Sequence, residues 1–157
     1  MFGAPTFAAG KKFWVEKTPS NLIAMDFLWD LFPEATIVHI KRNPRGVLFS
    51  FLQQDWLPRD LKQVTNFLSH IYWRWMTLKP KLDLPSRRYV EIKLEDLSRQ
   101  PQETMETVAK VAEIDSDFKF QLLKPDVVDR WQTEMPAEQR EYAEQELGRY
   151  FGLMGYD

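Results

Sequence analysis

One short stretch of the chain, residues 36–50, combines side chains that could bind a phosphate group. Arg42 follows a β-branched apolar run, which predicts a cation at the end of a buried strand. Asn43 can cap a helix and Pro44 suits the first helical position, so we expect a helix to begin at once. Ser50 adds a hydroxyl farther along that helix. Open parallel sheets bind ligands at the carboxyl ends of their strands and helix N-termini favour anions, so the stretch predicts a phosphate site.

Two other cations could join this site. Lys17 ends a second predicted strand, residues 13–16, and neighbouring parallel strands would place Lys17 and Arg42 along the same sheet edge. A lone lysine at a strand end is otherwise a solvated side chain. Arg45 lies in the first turn of the predicted helix, where a cation is as easily solvated as bound to a ligand.

The elements that must position these residues follow from the spacing of apolar side chains. Ile37, Val38 and Ile40 predict a buried strand, and Val47, Leu48 and Phe49 turn one side of the next helix toward the sheet. The remaining predicted elements are a helix over 21–31 capped by Ser20, a long helix over about 61–78, a strand over 89–94, a helix over 102–112, a loop over 115–129 and a last helix over about 136–149. A strand, helix, strand and helix in succession indicate a parallel sheet with a right-handed crossover. The predicted fold class is therefore α/β, a parallel β-sheet flanked by helices.

Composition limits the kinds of protein this chain can be. Its 157 residues predict one domain, and a net charge of −2 gives no field that would hold a nucleic acid. The chain has no cysteine, which excludes disulfides and thiolate metal sites and fits a reducing, cytoplasmic compartment. No apolar run is long enough for a membrane span, and no signal-peptide core is visible.

Four segments of the chain resemble the PAPS-dependent sulfotransferases, where PAPS is 3′-phosphoadenosine 5′-phosphosulfate. The family's 3′-phosphate segment reads strand, Arg, Asp-Pro-Arg, helix, Ser, and it is matched by Arg42, residues 43–45 and Ser50. The other three segments are Glu16-Lys17-Thr18-Pro19, similar to the family's KTP element, residues 89–101, and Arg130-Trp131 together with the ending at 152–156. The last of these is typical of the bacterial and tyrosylprotein-type branch.

The resemblance implies a function and a set of roles. It implies a P-loop NTPase-like sulfotransferase fold and transfer of a sulfuryl group from PAPS, the co-substrate, to a hydroxyl or amine acceptor. Arg42 and Ser50 would hold the 3′-phosphate, and Arg130 would approach the phosphates of the nucleotide. Lys17 would stabilise charge on the bridging oxygen as the sulfuryl group leaves. For Arg130, a surface arginine beside a core tryptophan is the alternative.

The chain also departs from the family's pattern. The family begins with a strand and a Ser/Thr/Gly-rich loop that binds the 5′-phosphosulfate, and no such segment is found here. Pro19 occupies the position of the histidine base of the cytosolic branch, and the acidic base of the other branch lies in the segment this chain lacks. We therefore expect residues 1–157 to be the C-terminal portion of a sulfotransferase-like domain, incomplete at the N-terminus, either from a truncated gene or as a degenerate relative. A sheet edge left open in this way could mediate self-association.

Two other functions remain possible from the sequence. One is a nucleotide kinase-like phosphotransferase, although a Walker lysine and a clear magnesium carboxylate are both lacking. The other is a non-catalytic protein that keeps a nucleotide pocket for binding or interaction.

The histidines and the acidic cluster favour structural roles. His39 lies inside a predicted strand and should be a hydrogen-bonded core residue, while His70 should be partly buried on the long helix. With these two histidines far apart, we predict no metal site. The carboxylates at 91, 95 and 96 are expected to form a strand-end and cap feature.

Overall fold

The computed structural model describes residues 10, 12–55, 57, 59–115, 117–119 and 124–157. In these ranges two strands, β1 (Ile37–Lys41) and β2 (Tyr89–Lys93), form a parallel sheet. Their register pairs Ile37 with Tyr89 and Lys41 with Lys93, so both strands end at the same edge. The predicted α/β class, a parallel sheet flanked by helices, is confirmed.

Helices make up most of the rest of the described chain. A 3₁₀ helix, Pro19–Ala24, leads into α1 (Met25–Leu31). The chain passes from β1 to β2 through α2 (Pro44–Phe51) and α3 (Leu61–Leu78), followed by the 3₁₀ turns Lys79–Lys81 and Leu84–Ser86. After β2 come α4 (Leu94–Arg99), α5 (Pro101–Ala112), α6 (Pro125–Val128), α7 (Trp131–Glu134), α8 (Ala137–Leu147), the 3₁₀ turn Gly148–Tyr150 and α9 (Phe151–Met154). None of the described helices is both long enough and apolar enough to cross a bilayer.

The main hydrophobic core is organised around α3. Trp75 and Leu68 are buried on its inner face, where they form one cluster with Leu147 of α8 and Tyr150. Burying side chains of this size contributes roughly 1.5–3 kcal/mol each. The predicted helix over 61–78 is confirmed with these bounds. Leu48 of α2 belongs to the same core, so α2 packs mainly on α3, α7 and α8 and not, as predicted, on the sheet.

The face of the sheet toward α3 carries a partly buried polar network centred on Glu91. Tyr89 donates to its Oε1 atom over 2.7 Å, and Lys41 and Lys79 donate to its two oxygens over 2.8 and 2.7 Å. Because Tyr89 gives its proton to Glu91, its oxygen accepts from Nδ1 of His39 over 2.9 Å. The pKa of the Glu91 carboxyl lies well below its ordinary value, since His39 and the surrounding donors favour the ionised form more than burial opposes it. His39 is thus the hydrogen-bonded core histidine that the sequence predicts.

The opposite face of the sheet is only half covered. Val90 and Ile92 of β2 are buried there against Val108 of α5. Val38 and Ile40 of β1 share that face, yet they are 36% and 51% exposed. The predicted burial of these two residues is therefore wrong. Successive side chains of a strand point to opposite faces, and the described chain covers this face only over β2.

The predicted strand over residues 13–16 is also wrong. Residues 13–18 have no regular secondary structure, and the sheet of the described chain pairs β1 with β2 alone. A strand needs a hydrogen-bonded neighbour, and this segment instead lies exposed, with Val15 91% accessible. Ser20 is not a helix cap, because the helical turn begins earlier, at Pro19, and Thr18 precedes it while donating its hydroxyl to Glu16.

Further predictions are corrected in the second half of the chain. His70 is exposed beside Trp73, because its position lies on the outer side of α3. The loop predicted over 115–129 contains α6, and its residues 116 and 120–123 lie outside the described part. The short helices α4, α7 and α9 escape sequence reasoning because elements of four to six residues hold too little periodicity. The helices predicted over 102–112 and 136–149 are present as α5 and α8.

The Glu91 network generates a stability prediction. We expect Glu91→Gln to lower the free energy of unfolding at neutral pH by about 2 kcal/mol, because the partly buried Lys41 ammonium loses its carboxylate partner. The cost should shrink as the pH falls below 4.5, the ordinary value, since the unfolded chain then takes up a proton that native Glu91 resists. Urea unfolding at neutral and acidic pH measures both effects.

The matched control is Glu113→Gln, which breaks the exposed Arg88–Glu113 ion pair. An exposed pair contributes at most about 1 kcal/mol, so this variant should lose less stability. An equal loss in the two variants, or a Glu91→Gln cost that does not change with pH, would contradict the network's role.

Candidate functional site

The turn between β1 and α2 forms the centre of the candidate site. Asn43 caps α2, and its Oδ1 accepts from the Arg45 N–H over 3.0 Å, as the sequence predicts. Pro44 is buried at the first helical position. The backbone N–H of Asn43 donates to Oε1 of Glu95 over 3.0 Å, which joins this turn to the start of α4. The end of β1 and the N-terminus of α2 are thereby fixed together.

Arg42 is the partly buried cation of this turn. Its Nη2 donates to the Val128 carbonyl oxygen over 2.6 Å, while its buried Nε has no hydrogen-bond partner in the described chain. Burial lowers the pKa of Arg42, and the positive charge of Arg130 lowers it further, against the opposing effects of Glu95 and Asp129. The guanidinium is therefore an incompletely compensated charge, which an anion would stabilise.

Arg130 lies on the same side of α2 as Arg42. Its Nη2 donates to Oε1 of Gln53 over 3.0 Å, and its Nε lies 3.1 Å from the Glu134 carboxylate. The guanidinium is 5.8 Å from the ring centre of Phe49 and remains 41% exposed. The two arginines act on each other electrostatically, so the structure brings two of the predicted phosphate-binding cations together.

Ser50 lies one helical turn beyond Gly46 on α2. Its side chain is half-buried, and within the described residues its hydroxyl has no hydrogen-bond partner. A hydrogen bond from this hydroxyl to its own helix, the common structural role of a helical serine, is not observed. The hydroxyl is available to a ligand on this face of α2.

Arg45, in contrast, is held inside the protein. Its Nε pairs with Glu144 over 3.0 Å, and its guanidinium stacks on the Phe151 ring at 4.2 Å from the ring centre. It also donates to the Asp157 carbonyl oxygen over 3.3 Å. These contacts tie α2 to α8 and to the last residues of the described chain, so Arg45 has a structural role.

Sequence reasoning missed the specific roles of Glu95 and Tyr156. The Glu95 side chain is 7% exposed, and its second oxygen accepts from the Tyr156 hydroxyl over 2.5 Å. Burial and the neighbouring Glu95 raise the pKa of Tyr156, so this hydroxyl remains a donor. Tyr156 therefore orients the carboxylate that holds the Asn43 N–H. The sequence predicted that Glu95 lies near the end of the strand β2, but it did not predict the hydrogen bond from Tyr156.

Lys17 was predicted to lie beside Arg42 on a shared sheet edge. The structure does not place Lys17 on the sheet. It lies in the exposed segment 13–18 and not at a strand end. Within the described residues its ammonium makes no hydrogen bond or ion pair. Its proposed role consequently does not follow from a shared sheet edge.

The described residues include no group of three or more His, Cys, Asp or Glu side chains that could hold a metal ion. The candidate site is instead cationic, with two arginines and a helix N-terminus at the carboxyl end of a parallel strand. Sites of this composition bind anionic groups such as phosphates.

Comparison with known protein families matches residues 5–118 to the sulfotransferase family. The match spans most of the chain and includes both strands, the Arg42 turn and Lys17. The chain belongs to the sulfotransferase family. Neither a curated protein nor a solved structure matches it.

The Glu95–Tyr156 contact generates a second stability prediction. We expect Tyr156→Phe to lower the free energy of unfolding by about 1–2 kcal/mol, because it removes one hydrogen bond to a buried carboxylate. Tyr142→Phe is the control, since the half-buried Tyr142 makes no side-chain hydrogen bond in the described chain. Urea unfolding compares the two variants. Equal stability of Tyr156→Phe and the parent protein would refute the orienting role.

Proposed function

We propose that this protein transfers the sulfuryl group of PAPS to a hydroxyl or amine acceptor. Its membership of the sulfotransferase family supports a transferase activity. The observation that carries the choice of donor is the buried Nε of Arg42, which has no partner in the described chain and lies at the start of α2. The 3′-phosphate of PAPS supplies the acceptor that this cation needs.

The residues around the turn fit a phosphate group. Arg42 and Arg130 provide two positive charges on one side of α2, and Ser50 of the same helix provides a hydroxyl without a hydrogen-bond partner among the described residues. The α2 N-terminus adds the positive end of a helix dipole. Charged hydrogen bonds of this kind are worth roughly 1.5–3 kcal/mol each. Arg42 and Ser50 would hold the 3′-phosphate, and Arg130 would approach from α7.

The reaction itself is a single displacement. The acceptor oxygen or nitrogen forms a bond to sulfur as the bond between sulfur and the phosphate oxygen breaks, and the acceptor loses a proton. PAPS supplies the sulfuryl group, and adenosine 3′,5′-bisphosphate remains. Lys17 would stabilise the negative charge that develops on the leaving phosphate oxygen. Its exposed ammonium, free of partners in the described chain, is available for this role.

The 3′-phosphate assignment predicts a binding preference. The protein should bind adenosine 3′,5′-bisphosphate about tenfold or more tightly than adenosine 5′-phosphate, because only the former reaches Arg42 and Ser50. Arg42→Ala should remove most of that preference, as measured by isothermal titration calorimetry. Arg88→Ala is the control, since Arg88 is an exposed arginine paired with Glu113. Equal affinity of the parent protein for the two nucleotides would overturn the assignment.

The role of Lys17 predicts a defect in turnover. With PAPS and a simple phenol or amine as acceptor, Lys17→Ala should lower kcat by about 100-fold and change PAPS affinity little, because its contact strengthens only in the transition state. Arg42→Ala should chiefly weaken PAPS binding. Lys12→Ala is the control, because Lys12 is an exposed lysine directly before the segment that contains Lys17.

Release of adenosine 3′,5′-bisphosphate is the measured quantity. Unchanged turnover in Lys17→Ala would show that this lysine is a solvated side chain. Tight binding of the nucleotide by the parent protein without turnover on either acceptor would favour a non-catalytic binding protein.

A further inference from the structure

Two buried N–H groups without an acceptor lie on the same side of α2. One is Nε of Arg42 and the other is the indole Nε1 of Trp131. Both nitrogens are shielded from solvent, and no group in the described chain accepts from either one. Buried donors are nearly always paired in folded proteins. The unpaired buried atoms of the described chain also include Nε1 of Trp75 and Nε of Arg140, but the Arg42 and Trp131 nitrogens are the two that lie against one glycine at the start of α2.

The two donor nitrogens both lie close to Gly46. A Cβ atom placed on this glycine would lie 3.0 Å from the Arg42 Nε and 3.3 Å from the Trp131 Nε1. It would also lie 2.9 Å from Cδ1 of the indole, closer than real Cβ atoms approach other groups. Glycine is unfavourable inside a helix, yet here it leaves space for both donors over the first turn of α2.

Other contacts hold the two donors in position. The Val128 carbonyl oxygen fixes the Arg42 guanidinium over 2.6 Å. Arg140 donates to the Gln132 carbonyl oxygen over 2.8 Å and more weakly to that of Trp131 over 3.5 Å, which fastens the backbone of α7. The guanidinium carbons of Arg45 and Arg140 each lie 5.8 Å from the indole ring centre. These two guanidinium groups lie beside the Trp131 ring and help to hold it in place.

We propose that Trp131 is a binding residue for the 3′-phosphate, and that its indole N–H and the Arg42 Nε–H donate to the same phosphate group above Gly46. This inference rests on the proposed function and adds to it a neutral donor from α7. Phosphate oxygens accept several hydrogen bonds, so one group satisfies both orphaned donors. Because both nitrogens are covered in the ligand-free protein, the indole edge must move off Gly46 when the phosphate binds.

The test removes the indole N–H but keeps an aromatic ring. Trp131→Phe should weaken binding of adenosine 3′,5′-bisphosphate by about tenfold or more, the effect of one hydrogen bond to a charged group, and leave adenosine 5′-phosphate affinity unchanged. Trp73→Phe is the matched control, because Trp73 is 48% exposed on α3. Titration calorimetry with both nucleotides measures the difference, and thermal unfolding checks that each variant is folded.

Gly46→Ala provides a second variant that keeps both donors. Its added methyl group would occupy the space between them, so bisphosphate affinity should again fall while adenosine 5′-phosphate affinity stays the same. In the parent protein, the indole N–H signal of Trp131, assigned by its absence from Trp131→Phe, should shift in NMR spectra on addition of the bisphosphate but not of adenosine 5′-phosphate.

The outcomes separate this inference from the function on which it rests. If the parent protein prefers the bisphosphate and Trp131→Phe keeps the full preference, Trp131 is a packing residue and only this inference fails. If Trp131→Phe does not fold, full retention of the preference in Gly46→Ala overturns the inference. If the parent protein shows no preference between the nucleotides, the proposed 3′-phosphate site itself is wrong.

Discussion

The arrangement of the candidate site depends on the hydrogen bond between the buried Glu95 carboxylate and the backbone N–H of Asn43. This contact joins the carboxyl ends of the two parallel strands, since Asn43 follows β1 and Glu95 follows β2. Tyr156 completes it by donating to the other carboxylate oxygen. The turn that presents Arg42 is therefore held by residues distant in sequence, which is why its geometry depends on the last residues of the chain.

The charges near this turn fall into two groups. On the α3 side of the sheet, Glu91 is surrounded by donors and its network is saturated, as expected of a structural element. Around α2, the Arg42 Nε has no partner in the described part of the chain, and Arg42 shares its surroundings with a second arginine. A buried charged group that lacks a hydrogen-bond partner is uncommon in folded proteins, and a ligand can provide the missing partner. That contrast supports the binding role proposed for Arg42 and the structural role of Glu91.

The parts of the fold that sequence predicted are those governed by local rules. The capped start of α2, the long apolar stripe of α3 and the buried His39 follow from capping chemistry and periodicity. The failures arise where tertiary contacts decide. Residues 13–16 have strand-like composition but pair with no strand of the described chain, and Ile40 is apolar yet 51% exposed. Arg45 and Trp131 show the same limit, because spacing cannot reveal that the Arg45 guanidinium pairs with Glu144 or that the Trp131 indole lies on Gly46.

A crystal structure of the protein with adenosine 3′,5′-bisphosphate would show directly whether the 3′-phosphate is the missing hydrogen-bond partner of the Arg42 Nε. We expect a 3′-phosphate oxygen within about 3 Å of that nitrogen, with Ser50 donating to the same phosphate group. A bound nucleotide whose 3′-phosphate lies away from α2, with the Arg42 Nε still unpaired beneath Trp131, would contradict it.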